Sequence, residues 1–389
     1  MRRAAISSRP ATRAAVGVGL AATLIIALVA LPLLGMAPNR LAAAVPSYRS
    51  GAIGTVVRFV MGFGAIGLFI LAVSRQRMSA AVALLSLWAA LVMLVVGLGD
   101  GARDLAAGRP AATRVSLASG AWLAMLLLAS GIGWAIQVCR LRRLGAVVAL
   151  VAAACLAAAG KGALFDHLSI AIELQARRGE VTTAILQHLA LAGSALGLGL
   201  VLAVMLSSWS RGQALVGAVA GGIQVVPAVA LLGALVALTS SLLTAVPALR
   251  EMGLSALGPG PAIVGIAAYL LLPLWRGLAT GLRTADGAVI DAAKALGLSH
   301  AQILLQVRLP LGSPLLIGAL RVAAVQSLSL ATLCALVGAG GLGRIVFDGM
   351  AQFAPDLILL GALPIIGLSL CAETLLGSIE ARARAWCPA

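Results

Sequence analysis

Charged and aromatic residues are scarce in this sequence. Of its 389 residues, 10% are charged and 4% are aromatic, whereas 61% are hydrophobic and the mean hydropathy is +1.09. A soluble domain carries about a quarter charged residues. The shortage of charge therefore excludes a water-soluble globular protein, and we expect a chain that crosses a membrane many times.

The sequence also lacks the motifs that bind nucleotides or metals. It has no Gly-x-x-x-x-Gly-Lys-Ser/Thr loop to hold the phosphates of ATP, so any use of ATP has to take place on another protein. Its five cysteines and three histidines are scattered without metal-ligand spacing. We therefore expect no catalytic residue, no metal and no cofactor in this chain, and we do not expect an enzyme.

Acidic residues are few as well, and the net charge is +16. The basic residues form no single patch for nucleic acid, because they lie in the short gaps between apolar runs, where they set topology. If the N-terminus is cytoplasmic, the inner gaps hold a large excess of Arg and Lys, whereas acids nearly balance those in the outer gaps. This pattern predicts an even number of spans, both termini in the cytoplasm, a location in the inner membrane, contact with membrane lipid and no nucleic-acid partner.

Long apolar runs are what the sequence has in abundance. A helix crosses a bilayer with about 20 mostly apolar residues. The runs predict an all-α, polytopic helical membrane protein with about ten transmembrane helices, although the boundaries within 236–276 are not settled by the sequence. We expect the first run to be retained, because it is longer than the core of a secretory signal. The runs are 14–36, 54–73, 79–98, 115–138, 144–160, 185–207, 213–240, 262–276, 313–338 and 356–378.

Polar connectors divide the chain into predicted domains. Residues 1–165 are expected to form an N-terminal extension of five spans with short loops. Residues 166–183 are the longest polar connector of the first half and are expected outside the cytoplasm. Residues 184–380 contain the motifs described below and are expected to form the functional core.

One polar stretch, 284–312, interrupts the apolar second half on the predicted inner side. Asp286 suits the cap of a first helix, and Gly297 suits the position that ends it. Ser299 and Gln302 match a capping box that begins a second short helix. We expect this second helix to stop at the Leu-Pro pair at 309–310.

This stretch resembles the EAA loop of ABC importer permeases, in which an acidic residue, two alanines, a later glycine and a Leu-Pro pair recur. The resemblance implies a coupling helix that docks on a cytoplasmic ABC ATPase subunit. An Asp replaces the more usual Glu, which keeps the charge and shortens its reach. Local physics alone leaves an ordinary cytoplasmic loop as an equal alternative. The matching residues are Asp291, Ala292, Ala293, Gly297, Leu309 and Pro310.

Other motifs in 184–380 resemble permeases for glycine betaine, choline and related osmoprotectants. The His188–Leu189 pair, a Gln-x-x-Pro-x-x-Ala motif from Gln224, a Tyr-x-x-Leu-Pro-x-x-Arg motif from Tyr269 and the stretch 321–350 carry this resemblance. It implies a C-terminal permease core of the MetI-like fold. The extension 1–165 makes the chain similar to a longer, low-affinity betaine subgroup.

Several residues of these motifs are candidates for the translocation path or its gate. A glycine cluster follows a membrane run rather than a strand, so a dinucleotide loop is not expected; a flexible turn and a close-packed outer gate remain alternatives. Arg321 is either a functional intramembrane charge or a side chain that reaches toward the inner surface. The candidates are Gln224, Pro227, Tyr269, Pro273, Arg321, Gly338, Gly340, Gly341 and Gly343.

The resemblance implies the membrane permease of an ATP-driven importer for glycine betaine or related quaternary-ammonium solutes. ATP and Mg would bind on the partner ATPase. Few aromatic residues are available for a cation–π cage, so a separate extracytoplasmic substrate-binding protein is expected to recognise the solute. A second permease copy or a paralogue would complete the pore. An importer for methionine or another small amino acid, and an ion-coupled secondary transporter, remain as alternatives.

Overall fold

Long helices make up most of the chain. Two compact units, Met1–Ala176 and Arg177–Ala389, divide it at a point inside the predicted connector 166–183. The computed structural model describes residues 10–40, 42–47, 52–74, 76–139, 147–151, 154–155, 164–208 and 212–386.

Helices pack around a small sheet in the described part of the N-terminal unit. Three short antiparallel strands lie in the order β2-β1-β3, and Gly35 in the central strand faces Pro46 and Ser116. The first two strands lie in the connection between the first and second helices, and the third strand lies in the connection between the third and fourth helices. The elements are α1 (Pro10–Ala30), β1 (Leu34–Ala37), β2 (Val45–Ser47), α2 (Ala52–Val73), α3 (Arg77–Ala106), β3 (Arg114–Leu117), α4 (Ser119–Cys139) and α5 (Ser169–Ala176).

One basic residue of this unit is buried rather than in a loop. Arg13 in α1 is 9% exposed and donates from Nη2 to the carbonyl oxygen of Leu71 at 3.2 Å. Its guanidinium also lies 5.9 Å from the ring centroid of Trp134, within the range of a cation–π contact. Arg13 therefore contacts both α2 and α4, in addition to any part it has in topology.

The C-terminal unit consists of helices alone within its described residues. Its longest helices are rich in Leu, Ala and Gly, and their buried faces meet in one core that includes Leu270, Leu274 and Ala323. The elements are α6 (Arg178–Ser208), α7 (Gln213–Val225), α8 (Ala228–Ala245), α9 (Ala248–Glu251), α10 (Pro259–Leu282), α11 (Gly287–Ala295), α12 (His300–Gln302), a π-helical turn (Ile303–Arg308), α13 (Leu309–Leu333), a 3₁₀ turn (Cys334–Val337), α14 (Leu342–Ala351) and α15 (Pro355–Trp386).

Nine helices in the described residues are long and apolar enough to cross a membrane. The predicted span 144–160 lies largely outside the described residues. The predicted single span 213–240 is wrong, because the structure divides it into α7 and α8 at Pro227. Pro227 lacks an N–H and takes an extended conformation with ψ 135°, so the helix ends and restarts there.

The expected helix stop at Leu309 and Pro310 is also wrong. The helical path runs from His300 to Val337 without a break. The π-helical turn Ile303–Arg308 precedes the proline and widens the helix there. A wider turn accommodates a residue that cannot donate to the carbonyl four positions back, so Pro310 enters α13 near its start instead of ending the helix.

Candidate functional site

The predicted coupling stretch begins with α11, which ends in a Schellman motif. Gly297 has φ +79°, its N–H donates to the oxygen of Lys294 at 2.9 Å, and the N–H of Leu298 donates to the oxygen of Ala293 at 3.1 Å. These two bonds satisfy carbonyls that the helix end leaves open, and they require the left-handed conformation that glycine adopts without cost. The helix-ending position expected for Gly297 is confirmed.

The two helices of this stretch, α11 and α12, differ in how their N-termini are capped. Asp286 occupies the capping position of α11, but its side chain makes no capping hydrogen bond, so that expectation is wrong in its detail. The capping box is confirmed. The Ser299 hydroxyl accepts from the Gln302 N–H at 3.3 Å, and Gln302 Oε1 accepts from the Ser299 N–H at 2.7 Å.

A small apolar core holds the segment 287–308 in this shape. Ile290, Ala293 and Ile303 are buried against one another, with Leu298 and Val307 packed at the edge. Ala293 is therefore unavailable to a docking partner, although it is one of the residues that carry the resemblance to a coupling helix. This internal core lets the segment keep its fold while its outer face stays free.

The outer face of this segment is apolar and carries one ion pair. Leu296 is 80% exposed and Leu305 is 63% exposed. Lys294 Nζ lies 3.3 Å from Asp291 Oδ1, and both side chains are exposed. Both leucines are therefore available for contact with another protein.

A second group of predicted residues meets at the break between α7 and α8. Gln224 Nε2 donates to the carbonyl oxygen of Tyr269 at 2.6 Å. The Tyr269 hydroxyl donates in return to the carbonyl oxygen of Val226, the residue before Pro227. The two motifs, 45 positions apart in sequence, thus form a reciprocal clamp between the broken helix and α10.

Pro273 explains why this clamp is possible. It lies inside α10, four residues after Tyr269, and has no N–H to donate to the Tyr269 carbonyl. That carbonyl is therefore open to the side chain of Gln224. The clamp satisfies both a carbonyl that a proline frees in α10 and a carbonyl at the helix break, as apolar surroundings demand.

The glycine cluster forms a tight turn between the 3₁₀ turn and α14. Gly338, Gly340 and Gly341 all have positive φ, between 77° and 78°. Gly341 combines φ 77° with ψ −173°, a region that only glycine occupies without strain. Gly343 lies against the backbone of Thr332, so its missing side chain lets α14 approach α13 closely.

Two neighbouring side chains of α6 bind α13 and this turn, and only one of them is in a recognised motif. His188 is fully buried, and its Nε2 lies 2.9 Å from the carbonyl oxygen of Leu328, an acceptor that requires the proton on Nε2. Gln187 Oε1 accepts from the N–H of Gly341 at 3.1 Å. Sequence reasoning missed Gln187, although its position beside the His-Leu pair is the signal that points to it.

Arg321 takes part in neither of these two groups of contacts. Its acidic partners lie in α15. Its Nη1 lies 3.2 Å from Glu373 Oε1, and its Nη2 lies 3.4 Å from Glu380 Oε2. Glu380 also pairs with Arg384. The predicted candidates therefore fall into three groups: the clamp, the glycine turn and the Arg321 ion pairs.

Two family models match the chain, one in each unit. Residues 195–385 match the inner membrane component of binding-protein-dependent transport systems. Residues 12–171 match the N-terminal domain of the ABC transporter permease YehY. The chain belongs to the family of ABC importer permeases, which are multi-span subunits of the inner membrane, and this membership argues against an ion-coupled secondary transporter.

Relatives among characterised proteins are osmoprotectant permeases. The carnitine transport permease protein OpuCB of Listeria monocytogenes is 36% identical over 146 residues, covering 36% of this chain and 67% of that protein. The glycine betaine/carnitine/choline transport system permease protein OpuCD of Bacillus subtilis (strain 168) is 31% identical, covering 47% of this chain and 73% of that protein. The similarity to osmoprotectant permeases is thereby confirmed.

A solved structure with a weaker likeness is the inward-facing MetNI methionine ABC transporter. One chain of it aligns with a TM-score of 0.46 and 17% identity, covering 54% of this chain and 98% of that chain. A likeness at this level carries no argument about function.

Loss of Pro273 and loss of Gln224 are expected to have the same effect. In Pro273→Ala the N–H at 273 reclaims the Tyr269 carbonyl, and in Gln224→Leu the donor is gone, so each breaks one bond worth about 1 kcal/mol. Uptake by cells that produce each variant is expected to fall, and the double variant should fall no further than either single one. Additive losses would show that the two residues act separately; Leu272→Ala is a control for altered packing in α10.

Gly341 is expected to tolerate no side chain. In Gly341→Leu, a Cβ would lie 3.3 Å from His188 Nδ1, and the backbone conformation would be strained. We expect uptake to be lost while the chain stays in the membrane, as judged by quantitative blotting. Gly193→Ala, where a Cβ meets nothing within 4 Å, is the matched control. Normal uptake by Gly341→Leu would remove the gate hypothesis.

Proposed function

We propose that the chain takes up glycine betaine or related quaternary-ammonium osmoprotectants, as the membrane permease of an ATP-driven importer. The observation that carries this proposal is the similarity to permeases named for carnitine, choline and glycine betaine. Choline, carnitine and glycine betaine share a trimethylammonium group, so one cargo class covers all the named relatives.

A separate binding protein would select the cargo. The chain contains only six Trp, two Tyr and six Phe, which is a poor supply for an aromatic cage. The matching family is described as dependent on a binding protein. The permease would then provide a gated path, with the clamp and the glycine turn as its irregular backbone, the kind of backbone that lines cavities in membrane transporters.

The segment 287–308 would dock on the partner ATPase. Its shape is held internally, and the exposed Leu296 and Leu305 offer an apolar surface next to Asp291 and Lys294. ATP and Mg would bind on that partner, and this chain would perform no hydrolysis. Closure of the ATPase dimer would move the segment and reopen the spans toward the binding protein.

The charge distribution supports a topology with both termini in the cytoplasm and the segment 287–308 on the same side. A second copy of the chain, or a paralogous permease, would complete the pore.

Uptake of labelled glycine betaine tests the function directly. The host strain lacks other osmoprotectant importers and produces this chain with its ATPase and binding protein. We expect energy-dependent uptake that disappears when this chain is omitted, and competition by unlabelled choline and carnitine. No uptake of any of the three, with the complex assembled, would contradict the cargo; methionine and other small amino acids would then be measured.

Gly297 provides a sharp test of the docking segment. Valine cannot adopt the left-handed conformation without strain of about 1–2 kcal/mol, whereas asparagine adopts it readily. Gly297→Val is expected to abolish uptake with the chain still in the membrane, and Gly297→Asn is expected to retain most of it. Equal uptake by the two variants would show that the turn conformation does not matter for transport.

A further inference from the structure

An ion pair network joins α13 to the C-terminal part of α15. Arg321 is the one charged residue of α13. It is 31% exposed, and its partners Glu373 and Glu380 are 49% and 6% exposed. A charge in a membrane helix is costly unless it faces a partner or water, so the pairing itself is a reason for these residues to stay together.

Glycines on both helices make room for this network. A Cβ at Gly318 of α13 would lie 3.5 Å from Glu380 Cδ, and a Cβ at Gly377 of α15 would lie 3.2 Å from Arg321 Nη1. Each charged group thus lies over a glycine of the opposite helix. This reciprocal arrangement brings the two helices close at the ion pairs and distinguishes them from a chance surface contact.

The guanidinium is divided between two carboxylates instead of forming a fork with one. Its Nη1 faces Glu373 and its Nη2 faces Glu380. Those carboxylates are seven residues apart on α15, about 10 Å along the axis. Arg321 therefore contacts α15 at two levels, and these two contacts oppose sliding of α13 along α15.

The same helix leads without interruption to the segment 287–308. From the capping box at Gln302, the π-helical turn and α13 form one continuous path, and Arg321 lies about 28 Å along it. At the near end, Gly312 of α13 lies directly against the backbone of Gly281 in α10. The helices on both sides of the segment are thus packed together.

We propose that Arg321, Glu373 and Glu380 are positioning residues that transmit the movement of the segment 287–308 to α15, the last span. The proposal rests on the function proposed above. A movement of the segment displaces α13, because the helical path that joins them is continuous. The ion pairs over Gly318 and Gly377 then carry α15 with it, so ATP hydrolysis on the partner is converted into a change of the path.

The first measurement is the number of solute molecules transported per ATP hydrolysed, in proteoliposomes that contain the whole complex and binding protein. In Arg321→Gln we expect this ratio to fall at least about fivefold, the lower range of coupling between sites, while hydrolysis continues. Arg321→Gln combined with Glu380→Gln is expected to give the same low ratio as Arg321→Gln alone, because both variants lack the ion pairs that link the two helices, whereas Glu380 keeps Arg384 in the single variant. Arg382→Gln, which removes an exposed charge of α15, is the control.

A structural role alone would give a different result. It would lower the amount of assembled complex, and transport and hydrolysis would fall in parallel with an unchanged ratio. An unchanged ratio in Arg321→Gln would overturn the proposal.

A second measurement does not depend on the cargo. Spin labels at Ala301→Cys and Ala381→Cys, in a chain whose five native cysteines are replaced, report the distance between the segment's second helix and the end of α15. With ATP and without it, we expect one unchanged distance in the parent chain and an ATP-dependent shift in Arg321→Gln. A shift already in the parent chain would contradict the proposal. An unchanged parent distance in a complex that transports no osmoprotectant would contradict the cargo alone.

Discussion

Every carbonyl and N–H that a membrane helix releases must find another partner, and this requirement organises the irregular parts of the chain. Pro273 frees the carbonyl of Tyr269, and Gln224 takes it. The break at Pro227 frees the carbonyl of Val226, and the Tyr269 hydroxyl takes it. In the clamp, the breaks are thus sites where distant motifs meet, because side chains from another helix replace the lost bonds.

The contacts within and between helices also distinguish the segment that we propose to move from the glycine turn that another helix holds in place. The segment 287–308 has its own small core, its own caps and a glycine turn, so it can be pushed as a unit without losing its shape. The helix beyond it continues without a break, because the π-helical turn accommodates Pro310. By contrast, the glycine turn at 338–341 holds its conformation through Gln187 of another helix. Rigid segments joined at a few polar contacts are well suited to alternating access.

Sequence reasoning predicts the helices and the segment 287–308 well, because hydropathy and capping are local properties. The capping box at Ser299 and the turn at Gly297 follow from residues within five positions of one another. Sequence reasoning fails where a group far away in the sequence decides the local structure or the contact. A proline alone does not decide between a break and a continued helix: the chain breaks at Pro227, whereas Pro310 lies inside a helix. The partner of Arg321 is more than fifty positions away in α15, and a single sequence does not pair them. The proposed roles of these residues stay predictions.

The clamp has a consequence for how such a chain diverges. Gln224 is useful only while position 273 withholds an N–H, and Pro273 is tolerated best while a donor is present at 224. Each residue therefore constrains substitution of the other, although they lie on different helices. A lineage that replaced the proline would release the glutamine from selection for that bond. Two positions that look like separate motifs are thus coupled through one hydrogen bond.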